Sequence, residues 1–334
     1  MSPVKKNTFF YTVLATSLAV PLIGGAKKDV NEAALKTTPH FWSQPEDIGS
    51  RDLFYGPGGP GHQPQGPYTF VKEDLDGSNP KFVVRDRAGV KWKVKLGVEA
   101  RPETAATRLL WAVGYYANED YFLPELNVES MPARLHRGQK LVEPDGSMRN
   151  VRLKREDEKK AGNWEWRQDP FSGTREWNGL RVMMAVINNW DLKDSNNAVY
   201  QDSGSGSIYM ISDLGASFGT DEAAWPLRKA KGNLESYSRS KFIRREDANT
   251  VDFYLPGRPR FVWLVRPGEY VRRLHLRWIG RNIPRADARW IGDLLSHLSD
   301  RQIHDAFRSA GYSAQEIDGF SKIIERRIAM LNEL

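Results

Sequence analysis

Four polar side chains lie close together in the chain and have the types needed for charge-driven chemistry: Asp191, Lys193, Asn196 and Asp213. The first three belong to Asn189-Trp190-Asp191-Leu192-Lys193-Asp194-Ser195-Asn196-Asn197. The fourth belongs to Ile208-Tyr209-Met210-Ile211-Ser212-Asp213-Leu214-Gly215-Ala216-Ser217-Phe218-Gly219. Transfer of a phosphoryl group asks little covalent work of a protein, but it needs positioned charge. One carboxylate must receive or orient the proton of the acceptor. A second carboxylate and an amide oxygen suit a hard divalent cation such as magnesium. Asp191 and Asn196 stand at either end of a short loop, and Asp213 stands just after a strand, so a helix-loop-strand-turn-strand unit would carry all three to one rim.

The elements that must hold this rim can be read from periodicity. Leu180, Met183, Met184 and Ile187 recur on one side of a helix predicted over Trp177 to Asn189. Strands follow at Ala198 to Tyr200 and Ile208 to Ile211, joined by a Gly/Ser turn from Ser203 to Ser207. Further upstream, Tyr68-Thr69-Phe70-Val71 and Lys81-Phe82-Val83-Val84-Arg85 read as strands separated by the turn formers Asp74 to Pro80. A turn at Asp86 to Gly89 leads into a third strand, in which Val90, Trp92, Val94 and Leu96 share one face and Lys91, Lys93 and Lys95 share the other. A helix starts near Pro102 and Glu103 and stops at Gly114. Residues 140–170 are charged and broken by turns, which suggests an insertion or lobe connection. Helices at Ala288 to His297, Asp300 to Ala310 and Ala314 to Leu331 complete the chain.

The order Asp-x-Lys-x-x-Asn, hairpin, Asp-x-Gly resembles the catalytic loop and magnesium-binding segment of protein kinases. The string Asp-Leu-Gly-Ala-Ser-Phe-Gly is similar to atypical relatives: HipA-type, spore-coat CotH-type, secretory-pathway and phosphoinositide kinases. The resemblance spans about residues 68–219. It implies an α+β, two-lobed protein-kinase-like fold, with a small antiparallel-sheet lobe and a larger, mostly helical one. By the same resemblance Asp191 matches the catalytic base and Lys193 the lysine that meets the transferred phosphate. Asn196 and Asp213 match the metal ligands. Lys95 matches the nucleotide-gripping lysine of the third strand, with Lys93 as the alternative. Glu103 matches its ion-pairing glutamate, with Glu99 set closer to the connection. Magnesium or manganese, and ATP or another nucleoside triphosphate, are the implied cofactors. The chain departs from the pattern at Asn189-Trp190, where protein kinases carry His-Arg, and at Leu214, where they carry Phe.

Bulk properties fit an enzyme of this size. The 334 residues, 40% hydrophobic and with 11 tryptophans, supply ample material for a buried core. The net charge of +7 favours anionic partners: nucleotides, phosphorylated surfaces or acidic lipid head groups at a membrane surface. Acidic residues interleave with the basic ones almost everywhere, so there is no continuous basic stripe for nucleic acid. No cysteine is present, which excludes disulfides and thiol chemistry. The six histidines show no metal spacing, and no Walker loop or nucleophile elbow stands out.

Residues 1–26 read as an export signal: Lys5 and Lys6, an uncharged apolar run from Phe9 to Ile23, then Gly24-Gly25-Ala26. The expected destination is periplasmic or extracellular, or membrane-anchored if the segment is not cut. Residues 27–67 read as an irregular arm, 68–130 as the small lobe and 131–334 as the large lobe. The acceptor is a hydroxyl on a protein or small molecule. Three other readings remain: a pseudokinase or binding module without turnover, a nucleotidyl transferase using the same residues, and a non-kinase α+β envelope protein. In the last, Asp191, Asn196 and Asp213 would lie far apart, and their types would reflect turn chemistry alone.

Overall fold

The alternation of apolar and basic residues after Gly89 produces the strand on which the small lobe is built. The computed structural model describes residues 38–334 apart from 78, 157–159, 202–205, 221–229, 257–261 and 266. The expected export signal at residues 1–26 and part of the Gly/Ser turn lie outside these residues. Strands β1 (Thr38–His40), β2 (Tyr68–Asp74), β3 (Lys81–Arg85) and β4 (Lys91–Lys95) precede helix α1 (Ala100–Ala112). β2, β3 and β4 form the expected antiparallel meander. Asp86 fixes its second turn, accepting from Val90 N at 2.9 Å and from Trp92 Nε1 at 2.8 Å.

Strands β5 (Asp120–Leu126), β6 (Val128–Glu129) and β7 (Met148–Arg155) complete a six-stranded sheet in the order β5-β7-β4-β3-β2-β6. This revises the sequence-based boundary. The stretch expected to be an insertion contains β7, which pairs with β4 on one side and β5 on the other. The small-lobe sheet therefore extends past residue 130 to Arg155. Met148, Val151 and Leu153 are buried in the same cluster as Phe82, Trp92 and Val94. Asn150, at φ 53°, breaks the period-2 pattern between Met148 and Val151 and hides the strand among charges.

Helix α1 is buried on nearly every side and packs against β5, β7 and a C-terminal helix. Its sequence explains this: Ala105, Ala106, Leu109, Leu110 and Ala112 are small or apolar, and its polar residues find partners inside. Gly114, at φ 98°, ends it, and a Cβ there would collide with Ser43 O.

The large lobe contains β8 (Lys160–Gly162), α2 (Arg175–Val186), β9 (Asn197–Gln201), β10 (Gly206–Ile211), α3 (Leu234–Ser238), β11 (Ile243–Glu246), β12 (Thr250–Phe253), α4 (Val262–Val265), α5 (Pro267–Leu276), β13 (Ile283–Pro284), α6 (Arg285–Ser296), α7 (Asp300–Arg308) and α8 (Ala314–Asn332). Capping boxes open α7 and α8 at Ser299/Gln302 and Ser313/Glu316. The predicted helix ending at Asn189 stops three residues earlier, because Asn188 takes a left-handed conformation at φ 53°. β1 joins β10 in parallel in the order β1-β10-β9-β8. The described part of the arm thus packs on the body, with Phe41 and Leu53 in the main core and Gly59 O accepting from Tyr121 OH at 2.8 Å. The expected α+β architecture, a small sheet lobe and a larger, mostly helical one, is the one observed. Among the described residues no helix is long and apolar enough to cross a membrane.

Candidate functional site

The left-handed turn at Asn188 aims the chain back toward the strand pair, and the loop it starts is stitched to the Asp213 segment by backbone. Phe218 N donates to Ile187 O at 2.8 Å, and Trp190 N donates to Ala216 O at 3.2 Å. Asn196 O accepts from both Ser212 N at 2.9 Å and Asp213 N at 3.2 Å. Asn189 stands where protein kinases carry His, and its Oδ1 accepts from Asp191 N at 2.9 Å, fixing the start of the loop. Asp191 is the half-buried end of this loop. Lys193 Nζ lies 3.0 Å from its Oδ2, and Arg273 Nη2 of α5 lies 3.4 Å from its Oδ1.

Lys95 shows how one strand face can hold three differently placed lysines. Lys91 is exposed, and Lys93 is half-buried against Asp74 at 3.0 Å and Glu156 at 3.1 Å. Lys95 is only 3% exposed because α1 covers the end of β4. A buried ammonium must be paired. Its Nζ lies 2.6 Å from Glu103 Oε2, 3.0 Å from Asp213 Oδ1 and 3.2 Å from Glu99 Oε2. The β4–β7 register sets Arg152 opposite Lys95, and Arg152 Nη2 meets Glu103 Oε1 at 2.7 Å.

Burial alone would favour neutral Lys95. Asp213, Glu103 and Glu99 together outweigh it and hold the ammonium above the usual lysine range. Burial likewise opposes the charge on Asp213. Lys95, the Gly215 N–H at 3.2 Å and Arg152 hold its carboxyl well below the usual carboxylate range. Glu99 is also held low: burial pushes it up, Lys95 and Lys231 pull it down, and the nearby Asp213 charge opposes them.

The donors at the rim suit a hard cation. Asn196 Nδ2 donates to Asp191 O at 2.5 Å, which leaves its Oδ1 outside that bond. Both contacts of Asp213 use Oδ1, which leaves Oδ2. Two oxygen donors on adjoining backbones match the preference of magnesium for oxygen ligands. Glu99 and Glu103 lie near Asp213, with the three groups' oxygens within 4.8 Å of one another, but Lys95 sits among them.

The structure therefore links Lys95, Glu103, Asp213, Asn196, Asp191 and Lys193 in one continuous set of contacts. The reading that scatters the aspartates and Asn196 fails. Of the two alternatives, Lys95 and not Lys93 lies beside Asp213 and Glu103, and Glu99 joins them there. Three further residues were not found from sequence. Arg152 lies in the stretch read as an insertion. Arg273 donates to Trp190 O and stacks over its ring at 4.7 Å. Lys231 binds Glu99 Oε1 and lies 5.3 Å from the Trp190 ring centre. No local spacing marks these two, because their partners are 83 and 132 positions away.

No protein-family model matches the chain, and no curated protein matches it. Among solved structures it is similar to the crystal structure of a Helicobacter pylori proinflammatory kinase, CtkA, at 11% identity and a TM-score of 0.44, covering 79% of this chain and 95% of that one. A likeness this loose decides nothing about activity.

Proposed function

We propose that this chain is a magnesium-dependent, nucleotide-binding kinase-like enzyme that transfers a phosphoryl group to a hydroxyl acceptor. The observation that carries the reading is Lys95, 2.6 Å from Glu103 and 3.0 Å from Asp213. A strand lysine, a helix glutamate and a carboxylate from the far lobe converge on one point, across 118 positions of sequence. Asn196 and Asp213 would hold the magnesium or manganese ion, which when bound would neutralise polyphosphate charge. Lys95, kept charged and oriented by Glu103, would grip the phosphates of ATP or another nucleoside triphosphate. Asp191 would accept the proton of the attacking hydroxyl, and Lys193 beside it would meet the transferred group.

Nucleotide-dependent melting tests the binding half. Wild type should gain stability from a nucleotide–magnesium pair, and Asp213→Ala should lose that gain. If no nucleotide–metal pair stabilises wild type, the reading fails.

A specific observation keeps a second reading, a pseudokinase without turnover. Asp191 already has two cationic neighbours, Lys193 3.0 Å from Oδ2 and Arg273 3.4 Å from Oδ1, so both of its oxygens are engaged before any hydroxyl arrives. Nucleotide binding without label transfer to any acceptor would select it. Nucleotidyl transfer would be recognised from the product. The acceptor, export and membrane-surface association belong to the same proposal, and tracking the full chain in fractionated cells tests the last two.

A further inference from the structure

Glu99 occupies the space directly in front of Asp213-Leu214-Gly215. A Cβ built on Gly215 would lie 2.7 Å from Glu99 Cβ and 2.9 Å from its Oε2. Three cationic or amide donors converge on this one buried carboxylate from three separate elements. Lys95 of β4 reaches Oε2 at 3.2 Å, Asn79 of the β2–β3 turn donates to Oε2, and Lys231 of the segment after Gly219 reaches Oε1. A carboxylate held between two ammonium groups and an amide N–H is a stand-in for another oxyanion of similar size. The position is the one a polyphosphate would take on reaching Lys95. A phosphate and a carboxylate carry the same sign, so a phosphate entering this position would be repelled by Glu99 until that side chain leaves.

We propose that Asn79, Lys95 and Lys231 form a polyphosphate clamp whose internal occupant is Glu99, so that nucleotide must displace this side chain in order to bind. The proposal rests on the nucleotide-binding reading for its ligand, and it adds two phosphate ligands and a built-in competitor. Displacement frees Lys231 and Asn79 to close on the phosphates. The turn that carries Asn79 lacks repeated glycines, and its side-chain amide supplies the donor that such a loop would supply from backbone. An internal competitor lowers apparent affinity by the fraction of molecules in which it is displaced.

The test measures binding of inorganic tripolyphosphate, and separately of ATP with magnesium, by calorimetry on the full chain and on Glu99→Gln, Lys231→Gln and the double variant. Glu99→Gln keeps the shape and removes the charge, so it should bind tripolyphosphate about tenfold more tightly than wild type. Lys231→Gln should weaken binding, most clearly in the Glu99→Gln background. Unchanged or weaker tripolyphosphate binding in Glu99→Gln overturns the proposal. So does a Lys231→Gln variant that binds like its parent, which also decides the matter if Glu99→Gln does not fold. If ATP binds wild type and Glu99→Gln equally, the clamp is wrong while the nucleotide reading stands. If tripolyphosphate gains affinity in Glu99→Gln and ATP binds neither, the clamp stands and the nucleotide reading falls.

Discussion

Glu103 bridges two buried cations, with Oε2 2.6 Å from Lys95 and Oε1 2.7 Å from Arg152. All three residues are at most 3% exposed, so none of the charges can turn to water. Removing the bridge leaves two like charges facing each other in the interior. Glu103→Ala should destabilise the chain by about 3–5 kcal/mol, the range for breaking a buried pair. Urea unfolding of the two proteins checks this, and a loss below about 1 kcal/mol, as at exposed pairs, would place the bridge in solvent.

On the proposed reading, Asp191 is the residue at which binding and chemistry part. Asp191→Asn keeps size and hydrogen bonding while removing the proton acceptor. Label transfer should fall by about a hundred- to ten-thousand-fold, while nucleotide-dependent melting keeps its wild-type shift. A variant that loses both would show that Asp191 supports the fold rather than the reaction.

Stability should depend on pH in three windows. Asp213 and Glu99 are held below the ordinary carboxylate range in the folded chain. Their contribution is complete above about pH 4 and is lost as pH falls through their folded values. Lys95 is held above the ordinary lysine range, so its share is complete below about pH 10 and is lost as pH rises further. Asp120 runs the opposite way. Burial, against the pull of Arg108, pushes its carboxyl up to about 6, so its share of stability declines as pH rises from about 4 to about 6. Urea unfolding of wild type and Asp213→Asn across this range checks the first window. The gap between them should close below about pH 4, and a gap that stays constant would remove the Asp213 charge from the account.

Arg327 of α8 reaches the end of α2, where Nη1 donates to Ala185 O at 2.8 Å and Val186 O at 2.9 Å. These carbonyls lie in the last turn of α2, where Ala185 O also accepts from Asn188 N at 3.0 Å and Val186 O from Tyr237 OH, and they immediately precede the turn into Asp191. Arg327→Leu should cost about 1.5–3 kcal/mol for the lost charged hydrogen bonds. Label transfer should also fall, since the loop loses its anchored base. Unfolding and transfer assays on one preparation test both, and full activity with lowered stability would confine Arg327 to packing.

The parts of the site legible in sequence are those set by local pattern. Asp191, Asn196 and Asp213 could be read because a helix, a hairpin and two short strings fix their separation. Lys95 could be read because β4 alternates between Trp92, Val94 and the lysines, and because resemblance to the kinase third strand points to the lysine after Val94. Strand β7 was missed because Arg149, Arg152, Lys154 and Arg155 dominate its composition, and Asn150 breaks its period. Lys231 and Arg273 were missed because their partners are set by tertiary packing across the large lobe. Glu99 was discounted for its nearness to β4. Yet the short turn between β4 and α1, through Gly97 at φ 86°, folds Glu99 back onto Lys95.

The two backbone donations into Asn196 O have a mechanical consequence. Asn196 and Asp213 behave as the fixed jaw of a caliper, because separating them means breaking two hydrogen bonds at once. Lys95 is tied to Asp213 through side chains alone. The joint between Lys95 and Asp213 is therefore the softer of the two, since a side-chain rotation can undo it while the Asn196–Asp213 joint yields only if main chain moves.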